Sequence, residues 1–359
     1  MSPDTTYQVE FVSPSGTIPF TSKSEVLRAD TYHDNSAPHK VSAATAETYG
    51  NPEALTTIRI GNGGLGPTGL LRSLCDAYLE EAGLGDHIKF EWVCNHSRHT
   101  QVALQAGVVD IGFTYEREEE ARATSEGWAQ TAGVFCHDHF VLAGPKADPA
   151  DLASHHGVIC SFNAIAKQGA LFHTRGDGSA TMHKEAELWD LVGVSDVDKA
   201  AAKWYQRIPG TPFQALVWAN RDKAYLLTDR ATFLTAKNKG VIEDLVTYVE
   251  GGEVLMNSCA VVLRSGEKRE SVWNFVNWLR EGQAQGIISR YGVDWETRVP
   301  LFTPETQKEL EEKLLLRKAL RPQPAKPRWR PLYVLPEVAV IVACTRIMLG
   351  PLIEASAPV

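Results

Sequence analysis

Residues 57–60 alternate polar with apolar side chains and then run into glycines, as a strand does on entering a loop. Leu70, Leu71, Leu74, Tyr78 and Leu79 recur at helical spacing, which predicts an amphipathic helix after that loop. Residues 88–94 and 108–114 read as strands, 116–126 as a polar helix and 140–143 as a further strand. A second set follows: a strand at 157–162, a helix at 180–191 with Leu188 and Trp189 on one face, a helix at 214–220 and a strand at 224–228. Residues 258–263 are small and apolar, hence a strand, and Val272, Phe275, Val276 and Leu279 form a core-like helical stripe within 271–279. Strands alternating with helices predict an α/β fold with a mainly parallel sheet.

Three loops carry the candidate chemistry. Residues 174–181 read Thr-Arg-Gly-Asp-Gly-Ser-Ala-Thr, and 228–230 read Thr-Asp-Arg. Each puts a guanidinium beside short hydroxyls or glycine, the groups that hold a dehydrated oxyanion. A surface Arg in a turn would look the same in either run alone. The loop 61–69, Gly-Asn-Gly-Gly-Leu-Gly-Pro-Thr-Gly, follows a strand and precedes a helix, and contains Gly-x-Gly-x-x-Gly. A dinucleotide site also needs an acid at the end of the next strand, about 20 residues on. That strand ends in Cys94-Asn95-His96, without one, so no nucleotide cofactor is expected.

The run 174–189 resembles the signature of tungstate-binding periplasmic proteins, the solute-binding subunits of ATP-driven oxyanion importers. That signature reads Ser-Arg-Gly-Asp-x-Ser-Gly-Thr-His, then Glu, then Leu-Trp. Arg175, Gly176, Asp177, Ser179, Thr181, Glu185, Leu188 and Trp189 fall in register; its His position is Met182, with His183 beside it. Trp204-Tyr205 and residues 224–234 are similar to the family's Trp-Tyr and Ala-Tyr-x-Leu-Thr-Asp-Arg-x-Thr-Tyr-Leu. Residues 138–145, Asp-His-Phe-Val-Leu-Ala-Gly-Pro, resemble its Asn-Asp-Phe-Val-x-x-Gly-Pro. The match spans about residues 56 to 295.

The resemblance implies a two-lobed type II periplasmic-binding-protein-like α/β fold with two crossover hinge segments and a ligand cleft between the lobes. Residues 56–144 plus 255–310 would form lobe one, and 145–254 lobe two. Residues 1–55 are expected to be a disordered extension, and 311–359 a basic, proline-rich linker with a short apolar tail. Arg175 and Arg230 are the expected charge partners of the ligand. Ser179, Thr181, Ser97 and the backbone around Asn62, Gly63 and Gly64 are the expected further donors, with Thr68 ending the first loop. Asp177 and Asp229 would hold the arginines in place. Gly63 and Gly64 stand where the family has Thr and Ser, and Arg98 with His96 and His99 adds positive charge. A roomier, more cationic pocket follows, suited to a ligand larger than a tetraoxyanion.

Composition narrows the partners. A net charge of −8 leaves no basic excess for nucleic acid, though a local arginine cluster can still oppose the global field. The six cysteines include no Cys-x-x-Cys and read as free thiols in a reducing compartment. Residues 1–51 lack an apolar run of secretory length, so a cytoplasmic protein is expected and a transporter partner is doubtful; the family includes fungal members of this leaderless kind. The apolar stretch 338–345 falls short of the about 20 residues of a membrane span. Cys94, His96 and His99, and Cys136, His137 and His139, have only loose ligand spacing, and no metal is expected. Arg175-Gly176-Asp177 as an adhesion tripeptide would need an extracellular loop. No catalytic motif occurs; His137, His139, Asp138 and Asp229 could act as acid or base, but spacing selects none. The expected function is binding of a small tungstate- or molybdate-like oxyanion, or an anionic metabolite, between two lobes. The alternative is an enzyme or accessory protein of a small-molecule (secondary metabolite) pathway using the same cleft.

Overall fold

The computed structural model describes residues 5–28 and 37–305. The linker and tail expected over 311–359, with Cys344, lie outside the described residues. Within the expected extension, residues 7–49 carry four strands. β1 (Tyr7–Ser13) pairs antiparallel with β2 (Gly16–Ser22) and parallel with β3 (His39–Ser42). Tyr7, Val9 and Phe11 alternate onto one face of β1 and are buried in a cluster with Val93, Val102, Leu104 and Val262. That burial orders residues expected to belong to a disordered extension.

The first lobe begins with β4 (Thr45–Tyr49) and β5 (Thr56–Gly61), then α1 (Leu65–Thr68) and α2 (Leu70–Glu81). β6 (Ile88–Val93), α3 (Ser97–Gln105), β7 (Ile111–Thr114) and α4 (Arg117–Ser125) follow. Ile58 and Ile60 of β5 lie opposite Phe90 and Trp92 of β6. The face they build is covered by Leu70, Leu71, Leu74 and Tyr78 of α2, the stripe visible in the sequence.

β8 (Ala129–Pro145) is the long crossing strand. The second lobe then contains α5 (Val158–Gln168), β9 (Phe172–Thr174), α6 (Ala180–Val192), α7 (Asp196–Ala201) and β10 (Tyr205–Arg207). α8 (Pro212–Asp222), β11 (Leu226–Asp229), α9 (Arg230–Asn238) and β12 (Leu245–Glu250) complete it. β13 (Met256–Arg264) leads back, followed by α10 (Glu270–Trp278), α11 (Gly282–Arg290) and β14 (Thr303–Pro304). β8 spends residues 129–139 beside β13, and its last residues beside β11 and β12.

Two expectations are corrected. The sheet runs β11-β8-β13-β7-β5-β6-β4, and only the β6-β5-β7 pairings in it are parallel. The crossing strands β8 and β13 pair antiparallel with each other, and β13 also pairs antiparallel with β7, so the sheet is mixed. Residues 157–162 are not a strand. Gly157 precedes α5, where Val158, Ser161, Phe162 and Ile165 recur every three or four residues on the buried face. Among the described residues no helix is long and apolar enough to cross a membrane.

The second lobe's core is aromatic. Trp189 of α6 is fully buried, with ring centroids 4.5 Å from Phe162 and 5.1 Å from Phe172. Trp189→Ala should lower the unfolding free energy by about 3–5 kcal/mol, read by denaturant titration. Leu191→Ala, on the same helix but 60% exposed, should stay within about 0.5 kcal/mol of the parent protein.

Candidate functional site

The two arginine runs, expected to meet in one cleft, do so in part: the first lines a cavity that the second reaches through Asp229. A cavity of about 270 Å³ is lined by Gly63, Gly64, Ser97, Arg175, Asp177, Ser179, Thr181 and Asp229 among others. Arg230, Arg98, Asn62 and Thr68 are not in its wall.

Arg175 follows β9 directly and is 5% exposed. Its Nε donates to Asp177 Oδ2 at 2.9 Å, and one amino group donates to Ser179 Oγ at 2.6 Å. The turn between them needs Gly176, which has φ +60°. Burial alone would raise the Asp177 acid, but the Arg175 charge and hydrogen bonds from Arg175 and Ser179 outweigh it and hold the carboxyl below its usual range. Arg175 Nη1 makes no hydrogen bond among the described residues, so one donor pair of the fork remains for a ligand.

Four helices begin at this cavity: α3 at Ser97, α6 at Ala180, α8 at Pro212 and α9 after Asp229. Side chains cap α8 and α9, through Thr211 and Asp229. Neither α3, from the first lobe, nor α6, from the second, has a side-chain cap. Their leading N–H groups and positive dipole ends make each an anion-accepting terminus. Ser97 Oγ accepts from Tyr115 N at 3.1 Å, so its hydroxyl hydrogen remains to be donated; Ser179 Oγ accepts from Arg175 and its hydroxyl hydrogen-bonds Asp177.

The other predicted donors have different work. Asn62 is buried; its amide donates to the Phe113 carbonyl at 2.9 Å and accepts from Leu65 N at 2.6 Å, which fixes the loop. Thr68 donates to the Leu65 carbonyl at 2.7 Å. Arg98 is buried against Glu116 at 3.0 Å and Glu119 at 3.6 Å. Arg230 pairs with Glu250 at 2.8 Å. Burial pushes the His96 imidazole down to about 4, so it is neutral at pH 7. The cavity is therefore less cationic than the sequence implies: its one arginine already faces Asp177.

Gly63 is not spare room either. A Cβ there would sit 2.9 Å from the Asn95 carbonyl oxygen, a backbone atom that cannot swing aside. At Gly64 the nearest atom is the Tyr115 hydroxyl at 3.4 Å. The wall also includes residues the sequence did not single out for ligand contact: Cys94, Asn95, Tyr115, Asp138 and Asn257. Asn95, Tyr115 and Asn257 sit at or beside strand ends, the one signal available for them. Among the described residues no group of three or more His, Cys, Asp or Glu side chains is placed to hold a metal ion.

A mixed α/β chain whose crossing strands join two lobes, with helix N-termini from both facing one cavity, defines a solute-binding class of fold. The chain belongs to the PBP superfamily: residues 48–281 match the PBP superfamily domain. A protein of Haloferax volcanii assigned to anion binding in an ABC transporter is 28% identical over 274 residues, 72% of this chain and 76% of that one. The tungstate-binding protein TupA of Peptoclostridium acidaminophilum is 27% identical over 219 residues, 58% of this chain and 74% of its own. The crystal structure of the tungstate ABC transporter protein of Geobacter sulfurreducens superposes with a TM-score of 0.58 at 25% identity, covering 66% of this chain and 100% of that one.

Two outcomes are expected at this site. Gly63→Thr should lower the melting temperature by several degrees, about 1–3 kcal/mol for overpacking, while Gly64→Ser should melt close to the parent protein. Glu185, in the signature run, is buried and accepts from Tyr205 Oη at 2.7 Å; burial pushes its carboxyl up to about 7. A carboxyl raised on folding loses stability as pH rises from its unfolded value toward 7. Glu185→Gln should therefore gain on the parent protein between about pH 4.5 and 7, by an amount on the order of 1–3 kcal/mol, in melts across that range.

Proposed function

We propose that this chain binds a small oxyanion or anionic metabolite between its two lobes, as a solute-binding component and not as a catalyst. The observation that carries the reading is the convergence of Arg175 with the uncapped N-termini of α3 and α6 on one cavity. The donors come from both lobes, so a ligand that fills them ties the lobes together and favours a closed arrangement. The relatives support the same reading: they are proteins assigned to anion or tungstate binding. The cavity supplies one guanidinium, the Ser97 and Thr181 hydroxyls and backbone N–H groups, which is a donor set for oxygen anions.

The test is calorimetric titration with tungstate, molybdate, sulfate and phosphate, paired with melting curves. Ligand should raise the melting temperature with concentration by mass action. Arg175→Ala should weaken the best anion by roughly 10–100-fold, the loss of one charge-assisted contact of about 1.5–3 kcal/mol. Arg98→Ala should act instead on stability, by removing the 3.0 Å partner of buried Glu116 while Glu119 keeps Arg122, a loss of about 3 kcal/mol. Equal anion affinity in Arg175→Ala and the parent protein would remove the site.

A further inference from the structure

The two crossing strands meet cysteine to cysteine. Cys136 of β8 stands directly opposite Cys259 of β13 in the antiparallel register. Opposite residues of such a pair project to the same side, with Cα atoms about 4.5–5.5 Å apart. That lies inside the range of about 4.4–6.8 Å that a disulfide spans. Both side chains are fully buried and both thiols are free. The thiols interact with each other, and Cys259 also meets the hydroxyl of Tyr115, a residue of the anion cavity's wall.

One buried cysteine is explained by packing, since a thiol behaves as a small hydrophobe. Packing does not explain two on facing positions of the strands that cross between the lobes. Three residues past Cys136, at His139 opposite Met256, β8 leaves β13 for β11 and β12. The pair therefore sits at the root of the crossing. About 120 residues separate the two cysteines, and they hold every element of the second lobe, from α5 to β12.

We infer that Cys136 and Cys259 are a disulfide site, a covalent staple across the crossing strands that a low-molecular-weight disulfide such as oxidised glutathione closes and a dithiol opens. One cysteine attacks the small disulfide and releases one small thiol, which leaves a mixed disulfide on the protein. The other cysteine then attacks the protein sulfur of that mixed disulfide and releases the second small thiol. Two electrons pass from the protein to the small disulfide, and the two cysteine protons end on the two released thiols. The staple does not depend on the anion-binding reading.

The step is slow in the folded protein. β14 flanks β8 here, with Pro304 as the register partner of Cys136. Burial first, and then the contact with Cys259, push the Cys136 thiol well above its usual range, whereas the thiolate is the attacking form. Reaction therefore needs a local opening of these strands. The exposed Cys94 and Cys160 meet an oxidant sooner, so the test removes them and works at equilibrium.

The full chain carrying Cys94→Ser, Cys160→Ser and Cys344→Ser is equilibrated in glutathione buffers of rising oxidised fraction, once from the folded state and once by refolding from denaturant. The expected product is lighter by two hydrogens, carries no glutathione, and gives a peptide map that joins Cys136 to Cys259. Closing a loop of this length should raise the melting temperature by about 5 °C or more, and dithiothreitol should reverse the rise. Adding Cys136→Ser or Cys259→Ser should abolish it. Both cysteines remaining open to alkylation from either starting point, or either joined to another cysteine, overturns the inference. So does a joined pair that melts no higher than the reduced protein. Should a serine variant fail to fold, the peptide map of the parent chain decides alone.

Discussion

Everything at the site depends on keeping one guanidinium charged while it is buried. Taking Arg175 out of water costs several kcal/mol unless a partner compensates it. Asp177 does so from two residues away, and Ser179 Oγ takes a second donor. The short spacing demands a tight turn, and Gly176 at positive φ supplies it. Arg207 then donates to the Gly176 carbonyl at 2.6 Å and fixes the turn from β10. The same turn delivers Ser179 as the first residue before α6. One local solution thus places the cation, two hydroxyls and a helix N-terminus together.

That solution also limits the attraction the cavity can offer. The Arg175–Asp177 pair is close to neutral as a unit, and Asp229 and Asp138 stand in the same wall. Arg98 and Arg230 do not redress the balance, because glutamates hold both. An anion must then be met by dipoles and hydrogen-bond donors and not by net charge. Such groups are strong only when desolvated and already in position. This is why the uncapped termini of α3 and α6 matter more here than the chain's overall charge of −8.

The signature runs made the second lobe legible. Arg175, Ser179, Thr181 and Asp177 were readable as one constellation because they are close in sequence and the turn between them is local. Arg98 and Arg230 misled for the opposite reason. Their acids, Glu116, Glu119 and Glu250, lie some twenty residues away and become neighbours only through packing. Gly63 misled similarly: the backbone that fills the space beside it belongs to the loop after another strand. Strand order escaped the sequence because alternation gives a strand's faces but not its partner, so the antiparallel crossing of β8 and β13 left no local mark. Helix α5 escaped because a short apolar run fits both periods.

The N-terminal strands show how far the site's support extends. Their hydrophobic alternation, Tyr7, Val9 and Phe11, is brief and sits in polar sequence, yet it docks β1 on the first lobe. β3, held by β1, ends at Ser42, whose backbone exchanges two hydrogen bonds with the Asn95 side chain, at 2.9 and 2.8 Å. Asn95 in turn lies in the cavity wall, two residues before the uncapped start of α3, and its carbonyl occupies the space a side chain at Gly63 would need. A donor group pre-set in this way loses little freedom when an anion arrives. The first lobe contributes no cation to the cavity. Its share of the binding has to come from that positioning, so the N-terminal sheet acts on affinity through the rigidity of residues 95–97 and without touching the ligand.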